Sequence, residues 1–313
     1  MNSEDIMEGL LIRIKGSGYY VVSGEKEYKC YLRGRFRIEG EGKLPVVGDW
    51  ITFRVNREKD SHQKTGLILS VGKRKSVFAR SVSGGRKKKI LGANLDYVFL
   101  IHAVKKPELN ARLVDRMIVG AEYGGIEPVI CVNKIDLIEN RSDLSETAEI
   151  YRRIGYKFLT CSAKKGEGME QLSSLMKGKI SLMAGPSGSG KTTIISVIQP
   201  GLDIRIGKVS SRTGKGRHTT SHLELHPLSG GGYVGDTPGI RGFGVELVDK
   251  NELQNYFLEF GEFRDYCRFK TCIHYREPGC AVKEAVERGD IASERYDSYI
   301  RMLEEIEQQR PQY

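Results

Sequence analysis

Residues 182–194 read LMAGPSGSGKTTI, and within them 185–192 fit the spacing G-x4-G-K-[ST]. An apolar run, ISLMA, precedes this stretch and a helical pattern, KTTIISVI, follows it. Glycines let the backbone turn so that successive N–H groups face one point at a helix N-terminus, where the helix dipole favours an anion. The run Gly185, Pro186, Ser187, Gly188, Ser189, Gly190, Lys191, Thr192 and Thr193 is therefore a candidate phosphate cradle. Lys191 would reach the β- and γ-phosphates and the Thr192 hydroxyl would bind magnesium. A strand, a tight loop and a helix in that order commit the chain to an α/β layer structure with a parallel sheet.

A second element stands upstream of the loop. NKID at 133–136 follows the apolar run PVICV, which places Asn133, Lys134 and Asp136 at the carboxyl end of a strand, where ligands sit in such sheets. A carboxylate there accepts both the N1–H and the N2 amine of guanine, and adenine offers no matching donors. Each such charge-assisted bond is worth roughly 1.5–3 kcal/mol, enough to select GTP over ATP. CSAK at 161–164 follows one helix and one strand later. The Ala163 N–H is placed to meet the guanine oxygen, with Ser162 and Lys164 beside it. Downstream, DTPG at 236–239 offers Asp236 for a magnesium shell and the Gly239 N–H for the γ-phosphate. The polar loop TGKGRHTTS at 213–221 offers Thr219 or Thr220 to close over the metal. The phosphate-side elements keep their usual order and the base-reading pair has moved in front of them, which is a circular permutation. Chain ends of compact domains often lie close together, so this exchange preserves the site at small cost.

At 313 residues the chain is long for one core. Several short strands between residues 10 and 71, separated by Gly-rich or charged connectors, suggest a small OB-like barrel of a kind that often binds RNA or single strands. Between Lys73 and Lys89 lie eight Lys or Arg residues and no Asp or Glu, read as a basic linker that is either solvated or in contact with phosphate backbone. The net charge of +10 points the same way, towards a polyanionic partner. Strands and helices alternate from about residue 90 to 245. Beyond them, Tyr296, Tyr299, Met302, Leu303 and Ile306 recur at spacings of three and four as the buried stripe of a helix. The expected division is a barrel over 1–72, the linker over 73–89, a permuted GTPase domain over 90–245 and a helical metal-binding domain over 246–313.

Cys267, Cys272, His274 and Cys280 form C-x4-C-x-H-x5-C, with Glu277, Pro278 and Gly279 supplying the turn back to the last cysteine. Three thiolates and an imidazole complete a closed tetrahedral shell for structural zinc, with no open position for chemistry. Cys30, Cys131 and Cys161 lie in apolar surroundings and read as core residues. No apolar run approaches the length of a membrane span, and the acidic start MNSEDIMEGL argues against a secretory signal, so a cytoplasmic protein without membrane contact is expected.

The order NKID, CSAK, GPSGSGKT, GRHTT, DTPG, between a small barrel and a cysteine–histidine cluster, resembles the bacterial ribosome-small-subunit-dependent GTPase A family of circularly permuted GTPases over nearly the full chain. The resemblance implies a GTP hydrolase that binds the 30S ribosomal subunit and its 16S rRNA, and acts in late maturation of that subunit. Hydrolysis to GDP would be stimulated by the subunit and coupled to release, with Mg2+ and one structural Zn2+. It also places His218 of GRHTT near the γ-phosphate. Where many GTPases carry a water-orienting glutamine after the D-x-x-G glycine, this chain has Ile240, which cannot orient water; His218 is then the internal candidate for that role. A non-enzymatic RNA-binding scaffold with a nucleotide sensor is the alternative of another class, and a P-loop ATPase or kinase is disfavoured by Asn133 and Asp136. No self-association signal is evident, so a monomer is expected. Hydrolysis is expected to move the DTPG loop and to re-aim the zinc unit through a linker of about 25 residues that includes NELQNYFLEF.

Overall fold

Along the later strands of the N-terminal unit, residues two apart are buried and those between them are not, so each strand turns one side inward. In the computed structural model, which describes residues 6–32, 44–56, 64–82, 87–202, 223–236 and 245–308, the strands of this unit are β1 (Ile6–Lys15), β2 (Gly18–Ser23), β3 (Lys26–Leu32), β4 (Trp50–Val55) and β5 (Thr65–Val71). They close into a barrel in the order β1-β2-β3-β5-β4, with β3 and β5 parallel and the other pairs antiparallel. Leu11, Val21, Cys30, Ile51, Phe53 and Ile68 fill the interior. Burial pushes the Cys30 thiol up to about 12, in keeping with a core residue.

The segment read as a basic linker differs. Residues 77–82 and 87–93 are strands β6 (Val77–Val82) and β7 (Lys87–Ala93), paired antiparallel with Arg80 opposite Lys89. Its cations are partly used within the fold. Arg74 forks onto the fully buried Asp49 through two bonds of 2.8 Å, Lys75 pairs with Asp96 at 2.7 Å, and the Lys88 ammonium lies 4.6 Å from the centre of the Tyr123 ring. Asn94, itself buried, donates to the Gly48 carbonyl and accepts from the Lys75 N–H, stitching barrel and hairpin together.

The central sheet follows from near-continuous apolar runs, as strands covered on both faces require. It comprises β8 (Tyr97–Ala103), β9 (Glu127–Asn133), β10 (Lys157–Thr160), β11 (Ile180–Ala184), β12 (Glu224–Pro227) and β13 (Tyr233–Asp236), in the order β10-β9-β8-β11-β13-β12. All neighbours are parallel except β12 and β13. Helices α1 (Ala111–Tyr123) and α2 (Ser145–Ile154) pack on one face, and α3 (Met169–Met176) and α4 (Lys191–Ile198) on the other. Leu10, Ile12 and Val47 from the barrel side join Leu223 and Leu225 in the first of these cores, so barrel and sheet share apolar packing.

At the C-terminus, α5 (Ala281–Arg288) and α6 (Ser293–Gln308) surround the cysteine cluster. Tyr299, Met302, Leu303 and Ile306 are buried as the stripe predicts, and Tyr296 is half-buried. The stretch including NELQNYFLEF is not a helix or a free tether. It consists of single 3-10 turns whose Leu253, Phe257 and Phe260 are buried against Tyr299 and Leu303. Aromatic side chains at that density bury enough apolar area to hold the turns without a helix. The buried Arg295 guanidinium joins this unit to the sheet's helices: it donates to Asp115 of α1 at 2.6 Å and to Glu259 at 2.8 Å, and Asp115 also accepts from the Tyr151 hydroxyl of α2 at 2.8 Å.

Candidate nucleotide site and metal centre

The sheet order separates β9 from β11 by one strand, and all three of β8, β9 and β11 run parallel. The turns after β9 and β11 therefore emerge at the same carboxyl edge, although some fifty residues of chain part them. Asn133, the last residue of β9, is buried and spans the gap with one amide. Its Nδ2 donates to the Ser189 carbonyl at 3.0 Å, and its Oδ1 accepts from the Ala163 N–H at 3.1 Å. Lys134 takes a left-handed φ of 64°, turning the chain so that its ammonium meets the Lys106 carbonyl. Asp136 is half-buried at the rim, and its Oδ1 accepts from the Ser162 hydroxyl at 2.6 Å. That bond holds the carboxylate below its ordinary pKa and keeps it charged as an acceptor. Asn133, Lys134, Asp136, Ala163, Lys164 and Thr193 line a small cavity of about 180 Å³ beside Gly190.

Two glycines of the phosphate loop are required by close approach. A Cβ on Gly185, at φ 149°, would stand 2.0 Å from the Ile101 carbonyl oxygen, and one on Gly190, at φ 97°, would stand 2.2 Å from Asn133 Nδ2. Gly188 also lies in the left-handed region, at φ 81°. Helix α4 begins at Lys191 with no side-chain cap, so its first N–H groups face the loop. Pro186 contributes its carbonyl: the buried Lys191 donates to Gly185 O and Pro186 O, each at 2.8 Å, which holds its charge at the centre of the loop. Ser189 is buried, while Ser187, Thr192 and Thr193 are exposed. Asp236 ends β13 in register with Met183 of β11, so its backbone reaches the same edge. His218, Thr219, Thr220 and Gly239 lie outside the described residues, as do the rest of 213–221 and Ile240.

One residue here escaped the sequence reading. His102, at the end of β8, is buried beneath the loop, and its Nε2 has no hydrogen-bond partner among the described residues. Burial, reinforced by the Lys191 charge, pushes its pKa down to about 4, so the ring is neutral. Its signal was a lone polar residue in the apolar run DYVFLIHAV.

The ligand atoms of Cys267, Cys272, His274 and Cys280 all lie within 4.8 Å of one another. Specific separations are 3.5 Å from Cys267 Sγ to His274 Nδ1, 3.4 Å from that nitrogen to Cys280 Sγ, and 3.9 Å between those two sulfurs. A tetrahedron with metal–sulfur bonds near 2.3 Å has edges of about 3.8 Å, so the four residues fit such a shell. The second ring nitrogen, Nε2, lies 2.8 Å from Gln254 Oε1, which leaves Nδ1 as the ligand atom and orients the ring. Burial foremost pushes the Cys272 thiol up to about 12 and the His274 ring down to about 4. The imidazole is thus neutral, as a ligand must be, and thiolates in this cluster require the charge of a cation. No helix among the described residues is long and apolar enough to cross a membrane.

Residues 71–246 match the family described as RsgA GTPase, and residues 8–62 match the RsgA N-terminal domain. A curated relative from Caldanaerobacter subterraneus subsp. tengcongensis, named "Small ribosomal subunit biogenesis GTPase RsgA", is 42% identical over 302 residues, which cover 96% of each chain. A relative of the same name from Geobacillus kaustophilus is 35% identical, covering 98% of this chain and 99% of its own. Among solved structures, YjeQ from Thermotoga maritima matches 97% of this chain and 100% of its own, with a TM-score of 0.79 and 35% identity. YloQ, described as a circularly permuted GTPase, matches 100% of both chains, with a TM-score of 0.78 and 29% identity. The likeness runs through barrel, permuted sheet and cysteine cluster together, and the chain belongs to the RsgA GTPase family, a family of GTP hydrolases.

Proposed function

We propose that this chain binds GTP at the carboxyl edge of its central sheet, hydrolyses it to GDP and phosphate, and does so as a factor in biogenesis of the small ribosomal subunit. The observation that carries the reading is the Asn133 amide, which ties the base-side loop and the phosphate loop into one site. Asp136 would read the guanine N1–H and N2 amine, and the Ala163 N–H would meet its oxygen beside Ser162 and Lys164. The 185–193 loop would cradle the phosphates. Thr192 and Asp236 would hold Mg2+, with Thr219 or Thr220 closing over it and the Gly239 N–H meeting the γ-phosphate. His218 would hold the attacking water in place of the usual glutamine. Cys267, Cys272, His274 and Cys280 would hold one zinc ion, whose charge stabilises three thiolates and joins α5 to the turns before it.

The partner would be the 30S subunit, contacted at 16S rRNA by a monomer in the cytoplasm, in late maturation, with hydrolysis coupled to release. The like-charge pairing of Arg80 and Lys89 across a two-stranded ribbon supports a polyanionic partner, because like charges placed opposite one another destabilise a ribbon that meets only water. The domains proposed are the barrel over 1–72, the permuted domain over 90–245 and the metal unit over 246–313, with the 73–89 segment serving as a ribbon. Turnover measured with and without purified small subunits tests the whole. Subunits should raise it strongly, and His218→Ala should leave nucleotide binding nearly intact while suppressing the stimulated rate. A stimulated rate unchanged in that variant removes His218 from the mechanism, and no stimulation by subunits removes the biogenesis role.

A further inference from the structure

Cys131 and Cys161 read as plain core residues in the sequence, yet both touch the base-side machinery. Cys161 Sγ lies 3.6 Å from Asn133 Oδ1, and Cys131 Sγ lies 3.5 Å from Cys161 Sγ. Both thiols and the amide are buried. A carbonyl-type oxygen has two lone pairs, and Asn133 Oδ1 fills them with the Ala163 N–H and the Cys161 thiol. Cys161 has one proton to give, so the contact between the sulfurs is made by the Cys131 proton. The result is a directed chain of hydrogen bonds from Cys131 to Cys161 to Asn133 and on, through Nδ2, to the Ser189 carbonyl of the phosphate loop. The bond to Cys161, together with burial, holds the Cys131 thiol well above its ordinary pKa, so it stays a protonated donor.

We propose that Cys161, backed by Cys131, is a positioning residue of the nucleotide site: its thiol proton locks the Asn133 amide in the orientation that joins the base-side loop to the phosphate loop. The proposal rests on the reading of 133–136 and 161–164 as the guanine site. Without the thiol, Oδ1 keeps one bond and the amide can pivot about it, so the two loops separate more readily and the nucleotide leaves faster. Valine and threonine at 161 are nearly equal in shape, and differ in that threonine offers a hydroxyl donor where valine offers a methyl group.

The test is the dissociation rate of a fluorescent GDP analogue from the full-length Cys161→Val and Cys161→Thr variants, with thermal melting followed alongside. Cys161→Val should release the analogue roughly two- to fivefold faster than the parent, the size expected for loss of one weak S–H bond, and Cys161→Thr should return to the parent rate. A core-packing role would move melting and release together and treat the two variants alike; equal release rates from Val and Thr overturn the proposal. Asp136→Asn is run in parallel, read by the preference between guanosine and xanthosine diphosphates. It should shift preference towards xanthosine. If guanosine is still preferred, the base-site reading fails and the proposal falls with it; if preference shifts while Val and Thr agree, the proposal alone falls.

Discussion

At the proposed base site the Asn133 side chain meets two segments of chain that are distant in sequence, and its geometry explains why Gly190 tolerates no Cβ. His102 has a comparable place beneath the phosphate loop. Its folded-state pKa of about 4 lies below its ordinary value of 6.5, so between those values the unfolded chain binds a proton that the folded chain does not. Stability contributed by the neutral ring is therefore complete above about pH 6.5 and is lost as pH falls towards 4, by about 2 kcal/mol at pH 5. His102→Phe should abolish that part of the loss, so melting temperatures measured at pH 7 and pH 5 should lie closer together in the variant than in the parent. Asn133, Asp136 and Lys191 were legible in the sequence because their spacing encodes a backbone path. His102 and Cys161 were not, because what each does depends on atoms brought near it only by the fold.

Among the elements, the long periodic ones were legible and the short ones were not. Helices α1, α2 and α6 carry their apolar stripes openly and α4 is marked by the glycine-rich loop before it, whereas α3, equally eight residues long, has no such flank. The β6–β7 ribbon was masked by the cations in and before it, which suggest solvent or phosphate until Asp49 and Asp96 are seen to take up Arg74 and Lys75 just ahead of β6. Helix α6 shows the other limit: its apolar stripe predicts a buried face, but Arg295 and Ser298 are buried on it too. Removing one partner of a buried ion cluster leaves the rest uncompensated and costs about 3–5 kcal/mol. Arg295→Ala should lower the free energy of urea unfolding by about that amount and raise amide exchange in α1, where Asp115 would be stranded. Exchange in α1 equal to that of the parent would mean that Arg295 does not secure the two units to each other.

For the whole molecule, the cysteine cluster and the core around Phe257, Phe260 and Tyr299 are one packed unit that grips α1 through Arg295. Metal removal should therefore act first on that unit. A chelator is expected to raise amide exchange across 261–288 while β8, β9 and β11 stay protected, and to lower the melting temperature; uniform exchange across both regions would mean that the metal supports the entire chain. The same packing fills the linker expected before the cluster with turns whose side chains are core. By itself, the sequence marked the phosphate-loop pattern, the tetrapeptides proposed to read the base, the permuted order and the four proposed metal ligands, because each is a short pattern whose backbone geometry or donor chemistry is local. Only the tertiary structure decided that Asn133 meets Ser189 across an intervening strand, that a basic segment is a paired ribbon, and that Arg295 welds the last helix to the first. Those are contacts between residues far apart in the chain, and the free energy that selects them comes from burial and pairing that no local window contains.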